Sequence, residues 1–217
     1  ISCTGITDIT PIDIDFARKY ETEEGGRGYV IKLLAVAKRR GNAVELRVNP
    51  ALIRKDHQLG SVSNEVNAIY IEPELAGPQI LGGRGAGRNA TTSAVISDII
   101  KIARNIRRGV TDELPSLNEK IEVIDPDKVQ TKGYIRTSLK HIPGSGAEAL
   151  RILGEHGLNV VDSVQRRRFG EIVNGKIYIP DIITVEAIEK KFITSALKEL
   201  TKSKRTHGPT LFLPFEE

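Results

Sequence analysis

Residues 82–106, GGRGAGRNATTSAVISDIIKIARNI, place four glycines within six positions directly ahead of a long amphipathic run, and no other stretch narrows so far what the chain can form. Gly82, Gly83, Gly85 and Gly87 permit positive φ and close approach of another group to the backbone, and Arg84 and Arg88 add positive charge. Thr91, Thr92 and Ser93 are suited to cap a helix over 91–106, whose first N–H groups lack intrahelical acceptors and carry the positive end of the dipole. Helical spacing turns Val95, Ile96, Ile99, Ile100, Ile102 and Ala103 inward, with Asp98, Lys101 and Arg104 outward. Two readings of the loop stay open: a cradle for an anion, or a tight turn between a strand and a helix. The glycine spacing is GxGxG rather than GxGxxG, and no strand ending in an acidic residue follows at the expected distance. A self-contained dinucleotide-binding unit is therefore not expected.

The chain of 217 residues is long enough for one large or two ordinary domains, and 39% hydrophobic with 28% charged residues is ordinary for a globular protein. No apolar run approaches the roughly 20 residues that span a bilayer, so no membrane partner is expected. The single Cys3 cannot form an internal disulfide, and no charged-then-apolar signal segment opens the sequence. A cytoplasmic location is expected on those grounds. A net charge of +4 is modest, the basic runs 166–168 and 202–205 read as solvated faces, and the few aromatics do not alternate with them. Nucleic acid is accordingly not expected as a partner. The sequence starts at Ile1 and contains no methionine, which suggests a processed product or a piece of something longer.

In chain order, Thr10-Pro11-Ile12-Asp13 reads as a helix start, with Thr10 at the N-cap, Pro11 at the first helical position and Asp13 at the third. That helix runs to about Tyr20, and Glu21 to Arg27 forms a polar loop. Tyr29 to Lys38 and Ala43 to Val48 read as a hairpin. Lys32 within it is expected to snorkel at a strand edge rather than to act as a catalytic ammonium. His57, without a second ligand nearby, is expected to make a hydrogen bond rather than hold a metal. Strands are expected at 67–72 and 79–81. Residues 107–132 are rich in charge and punctuated by Pro115 and Pro126, the signature of a linker with one short strand at 121–124. Beyond it come strand 134–139, helix 147–156 stopped by Gly157, strand 158–164, strand 176–179, helix 186–200 and strand 205–213. The order βαββαβ describes a ferredoxin-like sandwich.

The segments GITDITPIDIDFARKY, GYVIKLLAVAKR, LRVNPALI, DHQLGSVSNEVNAIYIE and GGRGAGRNATTSAVISDIIKIAR, in that order, resemble the second half of the catalytic domain of homoserine dehydrogenase. After the linker, GYIRTSLKHIPGSGAEALRILGEHGLNVVDSVQ resembles the ACT regulatory domain carried by many of these enzymes. The resemblance implies an α/β (α+β) fold in three parts: residues 1–110 as a partial catalytic and dimerisation domain with a mixed sheet, 111–132 as linker, and 133–217 as an ACT-like module. It implies reduction of aspartate semialdehyde to homoserine with NADP or NAD cofactors, on the route to threonine and methionine. The family's nucleotide-binding domain and its proton-shuttling residues lie upstream of this sequence. No catalytic residue and no metal ligand is therefore assigned here, and the chain alone is expected to be inactive.

By the same resemblance Gly83, Gly85 and Gly87 are the cofactor-binding positions, completed by an upstream nucleotide-binding half. His141, Gly144 and Asn159 are the effector-binding positions, with threonine the favoured amino-acid effector and a homodimer or higher oligomer as the assembly. The sequence departs from the family at His57–Gly60, where HPLA is usual, at 90–95, where PTASAV is usual, and at Gly82, where an aromatic residue is usual. His141 stands where an aspartate commonly meets the effector's ammonium, and an imidazole cannot supply that contact. The alternative reading is a stand-alone amino-acid-binding regulatory protein with an ACT domain.

Overall fold

The structure, a computed structural model, describes residues 1–20, 28–110 and 120–216. The loop expected at 21–27 and residues 111–119 of the expected linker lie outside the described residues. In chain order the elements are β1 (Ser2–Cys3), α1 (Pro11–Lys19), β2 (Tyr29–Arg40), β3 (Ala43–Arg54), β4 (Val66–Ile71), β5 (Gln79–Arg84) and α2 (Arg88–Arg108). There follow β6 (Glu122–Val123), β7 (Gln130–Lys140), α3 (Ser145–Glu155), β8 (Val160–Gln165), β9 (Glu171–Val173), β10 (Lys176–Glu189), α4 (Lys190–Lys202) and β11 (Thr206–Glu216). The fold is mixed α/β, as expected.

The chain divides into two compact units, residues 1–54 with 121–217, and residues 55–120. The first unit is held together across the chain by β3. Its whole length pairs antiparallel with β2, and its other edge receives β1 at Arg47 and Val48, β11 at Leu52 and Ile53, and β6 at Ala43 and Val44, all parallel. The last strand of the chain thus joins the first hairpin in one sheet.

Within the first unit, β7, α3, β8, β10, α4 and β11 realise the βαββαβ order, with strands arranged β11-β7-β10-β8 and every neighbouring pair antiparallel. Strand alternation sends consecutive side chains to opposite faces. Ile135 and Ile183 join Ala149, Ile152 and Leu153 of α3 and Ile193, Ala196 and Leu200 of α4 in one core cluster. Their neighbours Tyr134 and Ile182 join Ile12, Phe16 and Ala17 of α1, with Leu52 and Leu213, in a second cluster on the other face.

The capping box at α1 forms as read: the Asp13 carboxylate accepts from the Thr10 backbone N–H at 2.7 Å. It does more than cap. Asp13 is buried, and its second oxygen accepts from the Tyr134 hydroxyl at 2.5 Å and from Arg136 Nε at 2.7 Å. One side chain therefore caps the start of a helix and ties it to the sheet 121 residues later. Burial, and next the Asp13 charge, hold the Tyr134 phenol far above its ordinary range.

The helix expected over 186–200 begins four residues later. Residues up to Glu189 continue β10, with Ile188 opposite Thr131 and Glu189 opposite Gln130. A β-branched run, TVEAIE, was free to take either state, and an available partner strand decided it.

The second unit consists of the β4–β5 hairpin, a short 3₁₀ turn at Gln58–Ser61 and α2. No residue from 55 to 110 is buried.

Candidate functional site

Two places answer to the sequence expectations. The first is the glycine segment. Gly82 and Gly83 do not lie in a loop: β5 runs through them to Arg84, paired across the hairpin with Ala68 and Asn67. The helix starts at Arg88, not at Thr91, and its N-cap is Gly87, with φ of 118° and no side-chain cap. Thr91, Thr92 and Ser93 are therefore interior helical residues, and Thr92 Oγ1 donates back to the Arg88 carbonyl at 2.8 Å. The expectation that they cap the helix is corrected by three residues of extra helix, for which glycine supplies a positive φ that threonine would resist.

Gly85 is explained by its neighbour: a Cβ there would stand 1.8 Å from Asn67 Nδ2, and its N–H donates to the Glu65 carbonyl at 2.8 Å. Gly83 and Gly87 face open space. The Thr91 N–H bonds the Gly87 carbonyl, which leaves the N–H groups of Arg88, Asn89 and Ala90 without an intrahelical acceptor. A glycine-fronted, uncapped helix N-terminus suits a phosphate.

The apolar side of α2 departs most from expectation. Helical spacing predicts burial of Val95, Ile96, Ile99, Ile100 and Ile102, yet Ile99 is 56% and Ile102 58% exposed. A helix buries its stripe only against another apolar surface, and within residues 55–110 the sole sheet is a two-stranded hairpin whose own Ile69 and Leu81 are exposed.

The second place is the turn after β7. Lys140 N–H donates to the Arg205 carbonyl and His141 N–H to the Ile177 carbonyl, both at 2.7 Å, so the strand end is fixed from two sides. Gly144 takes φ of 82° and opens α3 without a side-chain cap. His141, Gly144, Lys140, Ser145 and Gln165 line a cavity of about 390 Å³ at this point. Arg205 braces the turn from behind, Nη1 on the Pro143 carbonyl at 3.2 Å and Nε on Glu148 at 2.8 Å. Asn159 is not brought to the cavity within this chain. Its amide donates to Glu186 at 2.8 Å at the start of β8, whereas Gln165 on the cavity wall ends that strand.

Sequence reading missed Lys140, Ser145 and Gln165 as lining residues. Ser145 could have been found, since a hydroxyl directly after the glycine of a strand-to-helix turn sits among free N–H groups. Gln165 could not, because only the pairing of β8 with β10 brings it there. His57 meets its expectation: Nδ1 accepts from the Leu59 N–H at 3.1 Å, and the ring packs on Tyr70. Among the described residues no group of three or more His, Cys, Asp or Glu could hold a metal, and no helix is long and apolar enough to cross a membrane.

Residues 1–100 match the family model described as homoserine dehydrogenase. The homoserine dehydrogenase of Helicobacter pylori is 32% identical over 200 residues, 90% of this chain and 43% of that protein. The one from Synechocystis is 34% identical over 179 residues, 76% of this chain and 39% of the relative. The crystal structure of a homoserine dehydrogenase from Thiobacillus denitrificans superposes with a TM-score of 0.75 at 26% identity, over 98% of this chain and 47% of that one. The chain belongs to the homoserine dehydrogenase family. As an oxidoreductase relative it spans less than half the length of the proteins it matches.

Proposed function

We propose that this chain forms one portion of a homoserine dehydrogenase, reducing aspartate semialdehyde to homoserine with NADPH or NADH once joined by a nucleotide-binding half. The observation that carries this reading is α2. A 21-residue helix presenting a stripe of exposed isoleucines, beside a hairpin without a core, is one side of an interface. The relatives have about twice the length of this chain, so they contain material to cover it.

In that arrangement Gly83 and Gly87 leave room for the cofactor, and the free N–H groups of Arg88, Asn89 and Ala90 meet its phosphates. Gly85 shapes the approach through its fit against Asn67. The nicotinamide ring supplies hydride; this chain's residues bind and orient. We infer that the chain alone is inactive, because hydride transfer requires both reactants held together.

We further infer that residues 130–216 act as an ACT-type regulatory module responding to a small ligand at the 140–146 turn. Mixing the chain with the nucleotide-binding half of a relative and following NADPH oxidation with aspartate semialdehyde tests the main reading. Turnover appearing only in the mixture is the expected result, and its absence across several such halves would remove the proposal.

A further inference from the structure

The cavity beside the β7–α3 turn is a built site whose ionisable side chains are all basic. Its helix, α3, is 11 residues long and opens on a glycine that has no side chain with which to cap it. The Ser145 N–H bonds the Ile142 carbonyl and the Glu148 N–H bonds the Gly144 carbonyl, so the N–H groups of Gly146 and Ala147 have no intrahelical acceptor. A second, independent feature points to a ligand. Ser145 lies on the cavity wall, is 3% exposed, and its hydroxyl has no partner among the described residues. A buried hydroxyl without a partner is destabilising, and a ligand oxygen relieves that cost.

The basic side chains on the wall are Lys140 and His141, and no aspartate or glutamate is among the lining residues. The nearest carboxylate on α3, Glu148, is already engaged at both oxygens, by Ser203 Oγ at 2.7 Å and by Arg205 Nε at 2.8 Å. An ammonium entering here would meet a lysine, an imidazole and the positive end of a helix.

We propose that this cavity takes a compact anion, headed by a carboxylate or a phosphate and carrying no ammonium group, rather than a zwitterionic amino acid. The inference rests on reading residues 130–216 as a ligand-responsive module. Its test reads binding to the chain itself, so it can fail while reconstituted turnover succeeds, and the reverse.

Calorimetry on the full chain, at matched ionic strength, would compare inorganic phosphate, succinate and threonine. Saturable binding of phosphate or succinate, with threonine silent, is the expected result, and whichever anion binds identifies the head group. His141→Asp, at an exposed position that leaves the fold unchanged by circular dichroism, should weaken the anion about tenfold through like-charge repulsion. Ser145→Ala should weaken it in the same direction. Threonine binding as tightly as either anion, no saturable binding by any of the three, or an anion affinity unmoved by His141→Asp would each overturn the proposal.

Discussion

At the residue scale, the sequence speaks clearly where a side chain acts on its own neighbourhood. Thr10 and Asp13 announce a capping box three positions apart, and it forms. The same letters say nothing of Tyr134 and Arg136, the distant donors that make Asp13 a buried anchor. Asp181 was equally silent. It is 1% exposed on β10, opposite Thr137, and burial holds its carboxyl above the usual range despite the Ser163 hydroxyl and the Ile182 N–H that lower it. The folded state thus retains a proton that the unfolded chain releases from its ordinary value of 3.8 upward. Below that value the contribution is fully present, and it is lost as pH rises through the folded value. Asp181→Asn has no such proton to lose. Melting temperatures of both proteins across that window should diverge, the wild type falling relative to the variant as pH rises; a constant gap would show that Asp181 titrates normally.

At the element scale, periodicity located most helices and strands, and it identified the apolar stripe of α2. What covers a stripe is a different question. Ile99 faces solvent here, so Ile99→Asp should alter the stability of the chain by less than about 0.5 kcal/mol, as exposed substitutions do. The same substitution should abolish activity gained on mixing with a nucleotide-binding half. Chemical denaturation and the reconstitution assay, run on one preparation, separate the two effects; a large loss of stability in the chain alone would mean that the stripe is already covered. The end of β10 was missed for a related reason: residues 186–189 carry no local preference strong enough to resist pairing with Gln130 and Thr131.

At the scale of the whole molecule, burial is distributed unevenly. Residues of β7 and β10 lie at the centre of a sheet covered on both faces, whereas 55–110 contain no buried residue. Amide hydrogen exchange should therefore be slowest in β7 and β10 and much faster throughout α2, since protection follows the free energy of local opening. Adding a nucleotide-binding half should slow α2 selectively. Equal protection of α2 and β7 in the chain alone would contradict this distribution.

The sequence by itself determined the local grammar: the capped start of α1, the hairpin, the βαββαβ order and the family to which the segments belong. It also pointed to both ends where a ligand could meet free backbone N–H groups, because glycine next to a helix start is a local signal. Only the tertiary structure decided that β11 returns to pair with β3, that Gly83 is strand rather than loop, and that Lys140, Ser145 and Gln165 share a cavity wall. Those facts depend on hydrogen bonds between residues far apart in sequence, and a pattern of period 2 or 3.6 specifies which face is apolar without naming the surface that will cover it.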